Sequence, residues 1–209
     1  RVRALTSTFE PGFAATVHVH HIVGGDRSAP LNAGLDLAVG RYVAVLDDDD
    51  IVTSDWISAY KSQATRHPGS LLRNNCVVQW IERRSTPLID FEPVSGFEES
   101  YPTHYDLLDT IRSNRTPMCS FVAPMETIRL FGIEFDDTLR VCEDWKFQLD
   151  VARYAGFSHD PAITSVYRRW RGGGGSEVAQ DREVWITDHE RVVDDLDVVP
   201  TVFPPGTMR

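Results

Sequence analysis

The chain has 209 residues and a formal net charge of −10, with 42% hydrophobic and 25% charged residues. This balance is typical of one soluble globular domain, and the acidic excess argues against a general nucleic-acid surface. No apolar run approaches the roughly 18 residues that a membrane-spanning helix needs, and no signal peptide is recognisable. Because the chain begins with arginine, a fragment of a longer protein is one interpretation.

Three cysteines, Cys76, Cys119 and Cys142, are scattered along the chain without a CxxC pair. This spacing is typical of free thiols rather than of a disulfide framework or a zinc site. We therefore expect a reducing, cytoplasmic compartment, in which a peripheral position at the inner membrane face stays open. Cys142 would need a histidine nearby to act as a nucleophile, and none is close in the sequence.

The first half of the chain alternates strand-like and helix-like segments. This order predicts an α/β fold with a mixed, mainly parallel sheet flanked by helices. Residues 17–23 alternate apolar and imidazole side chains and end at glycines, which predicts a strand and a turn. His18 and His20 would share one face of that strand, but no acid or cysteine at ligand spacing accompanies them. A helix is predicted over 32–39 and a buried strand over 42–46.

Four consecutive carboxylates follow the predicted buried strand: Asp47, Asp48, Asp49 and Asp50. In open α/β sheets, ligands bind at the carboxyl ends of strands. Adjacent carboxylates need a positive partner to stay ionised together, and Mg²⁺ or Mn²⁺ suits them because these ions take oxygen ligands and substrate phosphates. The alternative is a solvated acidic turn before a helix N-terminus, where aspartate is common.

The second half continues the alternation around a polar, irregular segment, residues 82–102, which we interpret as an active-site loop or an insertion. Glu143 and Asp144 begin a predicted helix, and residues 172–176 (GGGGS) are interpreted as a mobile loop. The other predicted elements are helices over 55–66, 104–113, 144–154 and 177–195, and strands over 71–81, 119–123 and 163–167.

Together these polar groups suit one class of reaction. A cation on the acidic turn would neutralise a diphosphate leaving group, and Arg168 and Arg171 could clamp the same phosphates. A separate carboxylate could deprotonate an acceptor hydroxyl as a general base. The residues therefore predict group transfer from a nucleotide diphosphate to an alcohol.

Three motifs resemble those of the family 2 glycosyltransferases, which have the GT-A fold. Residues 31–50 contain LNAGL, AVGRY and LDDDD, in the order of the family's N-x-G, A-x-G-x-Y and L-D-x-D-D signature. Residues 132–144 (GIEFDDTLRVCED) are similar to its G-x-F-D-x-x-L and E-D signature, and residues 166–168 (VYR) to its late Y-R strand end. The resemblance covers about residues 17–176.

The resemblance implies a GT-A domain over residues 1–176, with its N-terminal strand abbreviated or missing, and a C-terminal helix and extended tail over 177–209. The implied enzyme is an inverting glycosyltransferase of the hexosyltransferase type. It would move a sugar from a nucleotide-diphosphate donor to an acceptor hydroxyl with the help of Mn²⁺ or Mg²⁺. The acceptor would be a sugar, a lipid-linked sugar or a small molecule.

The resemblance also implies roles for individual residues. Asp144 would be the general base, Glu143 would position the base or the acceptor, and Asp47 and Asp49 would form the metal-binding pair. A histidine common in the family after the Y-R end is replaced here by the sequence RWR, so His189 is a distant candidate for a third ligand. The implied substrate-binding residues are Asp26, Asn32, Asp48, Arg168, Trp170 and Arg171.

Other interpretations stay open at this point. A nucleotidyltransferase or a nucleotide-sugar hydrolase would use the same metal-binding turn. A GT-A-like module that binds a sugar or a partner protein without turnover would fit the abbreviated N-terminal region. Asp144 could simply cap its helix, and the arginines 168–171 could form a solvated basic patch.

Overall fold

A six-stranded mixed sheet flanked by helices forms the centre of the protein. This arrangement, which confirms the predicted α/β class, comes from a computed structural model that describes residues 8–24, 26–84, 91–104, 106–172 and 181–198. The strands are β1 Tyr42–Ala44, β2 Ile51–Val52, β3 Leu71–Arg83, β4 Phe91–Pro93, β5 Phe121–Pro124 and β6 Phe157–Trp170. The helices are α1 Pro11–Ala14, α2 Ser28–Leu37, α3 Trp56–Arg66, α4 Leu107–Arg112, α5 Met125–Phe131, α6 Glu143–Ala155 and α7 Arg182–Val198.

The sheet has the order β1-β5-β3-β6-β2, and β4 pairs with β3 outside this path. The long strands β3 and β6 are parallel, from Leu71 opposite Phe157 to Ile81 opposite Trp170. The other pairings are antiparallel. Strands β1, β3 and β6 therefore run in one direction, although β5 separates β1 from β3. Parallel pairing is confined to β3 and β6 for this reason.

Helices cover both faces of the sheet, so successive residues of β3 that point to opposite faces are both buried. Leu71 and Leu72 are both fully buried, and successive strand residues face opposite sides. Leu72 packs in a cluster with Trp56 and Tyr60 of α3. Leu71 packs in a second cluster with Phe147 of α6. The result is a three-layer arrangement in which α6 is fixed against the sheet.

The strand predicted over residues 17–23 is wrong. These residues pair with no strand in the described part of the chain, and most of their side chains face solvent, with Val23 85% exposed. Within the described residues, no neighbouring strand forms backbone hydrogen bonds with this segment. Its alternating apolar side chains therefore do not form a sheet face that packs on the core. The imidazole rings of His18 and His20 lie 6.5 Å apart on this exposed segment.

The strand predicted over 42–46 exists but is shorter and less buried than expected. β1 lies at the edge of the sheet and pairs with β5, and Leu46 beyond its end is 43% exposed. Both faces of β1 are nevertheless partly covered, because Tyr42 packs against one core cluster and Val43 against the other. The boundary predicted at residue 176 and most of the glycine-rich residues 172–176 lie outside the described residues, so the two-part domain division stays a prediction.

All three cysteines are buried free thiols.

Within the described residues, no helix is long and apolar enough to cross a membrane.

Candidate active site

A cavity of about 560 Å³ opens where β1 and β6 end. Three segments supply its polar wall: the turn after β1, the N-terminus of α6 and the last residues of β6. The sequence-predicted residues that line it are Asp47, Asp48, Asp49, Glu143, Asp144, Arg168 and Trp170. The fold therefore brings together two acidic motifs that lie almost a hundred residues apart in the chain.

The acidic turn, Asp47 to Asp50, is held against β6 by its last member. The backbone N–H of Asp50 donates to the carbonyl of Asp47 at 3.2 Å, which closes the turn. The side chain of Asp50 accepts a 2.8 Å hydrogen bond from the backbone N–H of Arg168. Burial raises the pKa of Asp50 to about 7. Asp50 thus secures the turn, while its three neighbours line the cavity.

The end of β6 contacts the same turn through two side chains. The indole N–H of Trp170 donates to Oδ2 of Asp49 at 2.7 Å. The guanidinium of Arg168 reaches the backbone carbonyl of Asp49 at 3.4 Å and lies over the ring of Phe91, 5.0 Å from its centroid. These contacts fix Asp49 beside Arg168 and Trp170, whose side chains also line the cavity.

The chain enters α6 through Cys142, which has φ 66° and ψ 7°. Among the described residues it is the one non-glycine residue with positive φ, a conformation that costs about 1–2 kcal/mol. This sharp entry places Glu143 and Asp144 in the first helical turn, where the helix dipole favours carboxylates. We call residues 142–144 the α6 entrance.

Asp144 is held by two hydrogen-bond donors. Nδ2 of Asn114 lies 3.2 Å from each carboxylate oxygen of Asp144. The backbone N–H of Trp145 donates to Oδ1 of Asp144 at 2.7 Å, and the fully buried Trp145 indole donates to the carbonyl of Thr110 at 2.6 Å. Burial raises the pKa of Asp144. The result is an oriented carboxylate with a basicity above that of a surface aspartate.

Arg27 connects the two acidic groups across the cavity. Its Nε donates to Oε1 of the buried Glu143 at 2.8 Å, and its Nη2 lies 3.9 Å from Oδ2 of Asp47. Burial, reinforced by the charge of Asp144, raises the pKa of Glu143 to about 7, although Arg27 acts in the opposite direction. Burial also raises the pKa of Asp47, again opposed by Arg27.

The cavity carboxylates suit a metal site that substrate phosphates and water complete better than a site in which every ligand comes from the protein. Among the described residues, no group of three or more histidine, cysteine or acidic side chains is arranged to hold a metal. Mg²⁺ and Mn²⁺ need only one or two carboxylates when substrate phosphates and water complete the shell. Asp47 and Asp49 on the cavity wall fit that ligand set.

Three predicted substrate-binding residues do not line this cavity: Asp26, Asn32 and Arg171. The side-chain amide of Asn32 is occupied by the backbone of Phe135, donating to its carbonyl and accepting from its N–H, both at 2.8 Å. Arg171 is half-exposed and lies 3.9 Å from Glu82. Substrate contacts by Asp26 and Arg171 therefore stay predictions, whereas the amide of Asn32 has a structural role.

His189 is not placed as a metal ligand. Its Nε2 lies 3.0 Å from the carbonyl of Arg112, and its ring stacks on Trp145 at 4.9 Å. Sequence reasoning also missed cavity residues, among them Arg27 and Asn114. Asn114 is thirty positions from Asp144 in the sequence and belongs to no recognised motif. Arg27 directly follows Asp26, so the resemblance that selected Asp26 could also have selected Arg27.

The sequence matches the family model "Glycosyl transferase family 2" over residues 15–123, which is just over half of the chain. No curated protein matches the sequence.

Solved structures with a similar fold include Staphylococcus aureus TarS. TarS 1–349 in complex with UDP-GlcNAc is 17% identical, with a TM-score of 0.55 over 82% of this chain and 52% of that chain. TarS 1–349 in complex with UDP is 18% identical, with a TM-score of 0.54 over 81% and 44%. The chain thus spans about half of these structures, and the likeness confirms the predicted GT-A fold class.

Proposed function

Because this chain belongs to glycosyl transferase family 2, we propose that it moves a sugar from a nucleotide-diphosphate donor to an acceptor hydroxyl with inversion. The observation that carries this proposal is one cavity in which the acidic turn and the α6 entrance face each other, with Arg27 near both. A transfer of this kind needs one group of residues for the donor diphosphate and another for the acceptor hydroxyl. The cavity offers both.

Asp144 is the general base in this proposal. It takes the proton of the acceptor hydroxyl as the hydroxyl oxygen bonds to the anomeric carbon and the bond from that carbon to the diphosphate oxygen breaks. Attack opposite the leaving diphosphate inverts the configuration. Asn114 and the Trp145 amide orient the carboxylate, and its raised pKa favours proton uptake. Glu143, paired with Arg27, positions this base.

Asp47 and Asp49 would hold Mn²⁺ or Mg²⁺ together with the donor diphosphate. The ion would supply positive charge that stabilises the leaving diphosphate. Asp48, the exposed member of the turn, is assigned to the donor ribose. Arg168 supplies a fixed cation at the same wall, and Trp170 orients Asp49 through its indole N–H. The acidic turn thus forms the donor side of the site.

UDP-GlcNAc and UDP are the first ligands to test, because TarS shares the fold and has been crystallised with both. Thermal-shift measurements with nucleotide diphosphates, with and without Mn²⁺, detect binding because a ligand of the native state raises the apparent Tm. We expect a Mn²⁺-dependent rise, followed by UDP release from UDP-GlcNAc when acceptor alcohols are added.

Other outcomes would replace the proposal. Release of pyrophosphate from a nucleoside triphosphate and a sugar phosphate, with no release of UDP from UDP-GlcNAc, would indicate a nucleotidyltransferase. Release of UDP and free sugar, with no glycosylated product for any acceptor in a panel of sugars and simple alcohols, would indicate a hydrolase. Absence of metal-dependent binding to every nucleotide diphosphate tested would indicate a binding module without turnover.

A further inference from the structure

Asp188 of α7 is a buried carboxylate, 5% exposed, that contacts the chain just before the α6 entrance. Its Oδ2 accepts hydrogen bonds from the backbone N–H groups of Arg140 at 2.8 Å and Val141 at 3.1 Å. Its Oδ1 lies 3.6 Å from Nη1 of Arg191. Nothing in the sequence motifs predicts this contact, because Asp188 lies far along the chain in a helix outside them.

The two amides that Asp188 holds directly precede the strained residue Cys142. Val141 is 1% exposed, so its N–H would be left without a partner if the carboxylate were absent. Hydrogen bonds to an ionised carboxylate are stronger than those between neutral groups. Asp188 therefore compensates for the unfavourable backbone of Cys142 and fixes the direction in which the chain enters α6.

Helix α7 is itself fixed, so Asp188 is a rigid anchor. Val192, one turn after Asp188, is 1% exposed and packs in a cluster with Val141 and Trp145. His189 stacks on Trp145. Trp185, one turn before Asp188, lines the cavity. Helix α7 thus contacts both the cavity and the segment that carries the base.

We propose that Asp188 is a positioning residue that holds Glu143 and Asp144 in their reactive geometry through the backbone of Arg140 and Val141. This inference rests on the proposed glycosyltransferase function. Asp188 itself does not line the cavity. It acts through the backbone of Arg140 and Val141, so its loss should slow the chemical step without weakening donor binding at the acidic turn.

The test compares Asp188→Ala, Asp188→Asn and the control Asp194→Ala, which removes an exposed carboxylate from the same helix. The first readout is UDP release from UDP-GlcNAc with Mn²⁺ and an acceptor alcohol, normalised to folded protein. We expect Asp188→Ala to lower kcat about 10- to 100-fold, the scale of a small misplacement of reacting groups, with KM for UDP-GlcNAc unchanged. Asp188→Asn keeps an acceptor oxygen and should restore most of kcat.

The second readout is amide hydrogen exchange, which needs no activity. The N–H of Lys146 donates to the carbonyl of Cys142 at 2.9 Å, and that of Trp145 donates to Asp144. Both amides should exchange faster in Asp188→Ala, while amides of β3 and α3 keep their wild-type rates.

Unchanged exchange at Trp145 and Lys146, or an equal kcat per folded molecule, would overturn the positioning role. A loss of Tm in Asp188→Ala that leaves both readouts at wild-type values would mean that Asp188 only stabilises the fold. If wild-type protein releases no nucleoside diphosphate from any nucleotide sugar tested, the proposed function fails, and the exchange measurement still decides whether Asp188 holds the α6 entrance.

Discussion

The two acidic sides of the cavity are built in different ways. The acidic turn joins a three-residue edge strand to a two-residue strand, and Asp48 within it is exposed. The α6 entrance begins a thirteen-residue helix packed on the sheet. There, Nδ2 of Asn114 lies within hydrogen-bond distance of both carboxylate oxygens of Asp144. The buried Glu143 accepts a hydrogen bond from Arg27.

Under the proposed function, we infer from this difference a division of tasks. Adjacent ionised carboxylates on a turn repel one another, and a bound cation relieves this repulsion. A carboxylate held by several donors before substrate arrives is already oriented for proton transfer, which lowers the cost of reaching the reactive geometry. Substitutions at the turn should therefore weaken donor binding, whereas substitutions at the α6 entrance should slow chemistry.

The largest effect is expected for Asp144→Asn. Loss of the general base should lower the rate of sugar transfer about 10²- to 10⁴-fold, because an amide cannot take the acceptor proton. UDP affinity in the presence of Mn²⁺ should stay near the wild-type value, since the acidic turn is unchanged. Transfer assays and calorimetry on the same preparation measure both quantities. Asp194→Asn, at an exposed position of α7, is the matched control. Full transfer activity in Asp144→Asn would sink the assignment of the base.

Asp49→Ala tests the opposite side of the comparison. Removing this carboxylate should lower transfer about 100-fold, because metal stabilisation of a leaving group is worth several kcal/mol. Unlike Asp144→Asn, it should also weaken the Mn²⁺-dependent binding of UDP, measured by titration calorimetry. Asp36→Ala on the exposed face of α2 removes an equal charge away from the cavity. If Asp49→Ala binds UDP and Mn²⁺ as tightly as wild type, the turn is not the metal site.

A smaller effect, on stability, is expected from Glu143→Gln. The folded-state pKa of Glu143 is raised to about 7 from an ordinary value of 4.5. Between these values the folded protein binds a proton that the unfolded chain releases, so the stability contribution is complete below about pH 4.5 and is lost as pH rises through about 7. Glutamine cannot titrate. The difference in Tm between wild type and Glu143→Gln should therefore fall over this range and level off above it.

Thermal melts at a series of pH values measure this difference, and each 1 kcal/mol corresponds to about 2–4 °C in Tm. Glu190→Gln, at an exposed position of α7, is the control and should show no such trend. A Tm difference that stays constant from pH 4.5 to pH 8 would show that Glu143 does not titrate in this window. It would then act only as the fixed partner of Arg27.

The sequence predicted the acidic residues that line the cavity better than the contacts that orient them. The acidic turn and the Glu143–Asp144 pair are contiguous in the chain and lie at element ends, so local patterns place them. The contacts of Asn114 and Asp188 join distant segments, and no local pattern encodes them. Residues 17–23 have the alternation of a strand, but a strand needs a neighbouring backbone as well as a pattern. Asn32 belongs to a recognised motif, yet its amide serves the backbone of Phe135.

Asn32→Ala tests whether this motif residue has a structural role or a role in donor binding. We expect the substitution to change stability alone. It leaves the N–H and C=O of Phe135 without their side-chain partner, which costs about 1–3 kcal/mol and should lower Tm. UDP affinity should not change, because Asn32 lies outside both acidic sides of the cavity. Arg171→Ala is a suitable comparison, since an exposed ion pair is worth about 0–1 kcal/mol. A loss of UDP affinity in Asn32→Ala at unchanged Tm would return Asn32 to the donor site and extend that site beyond the acidic turn.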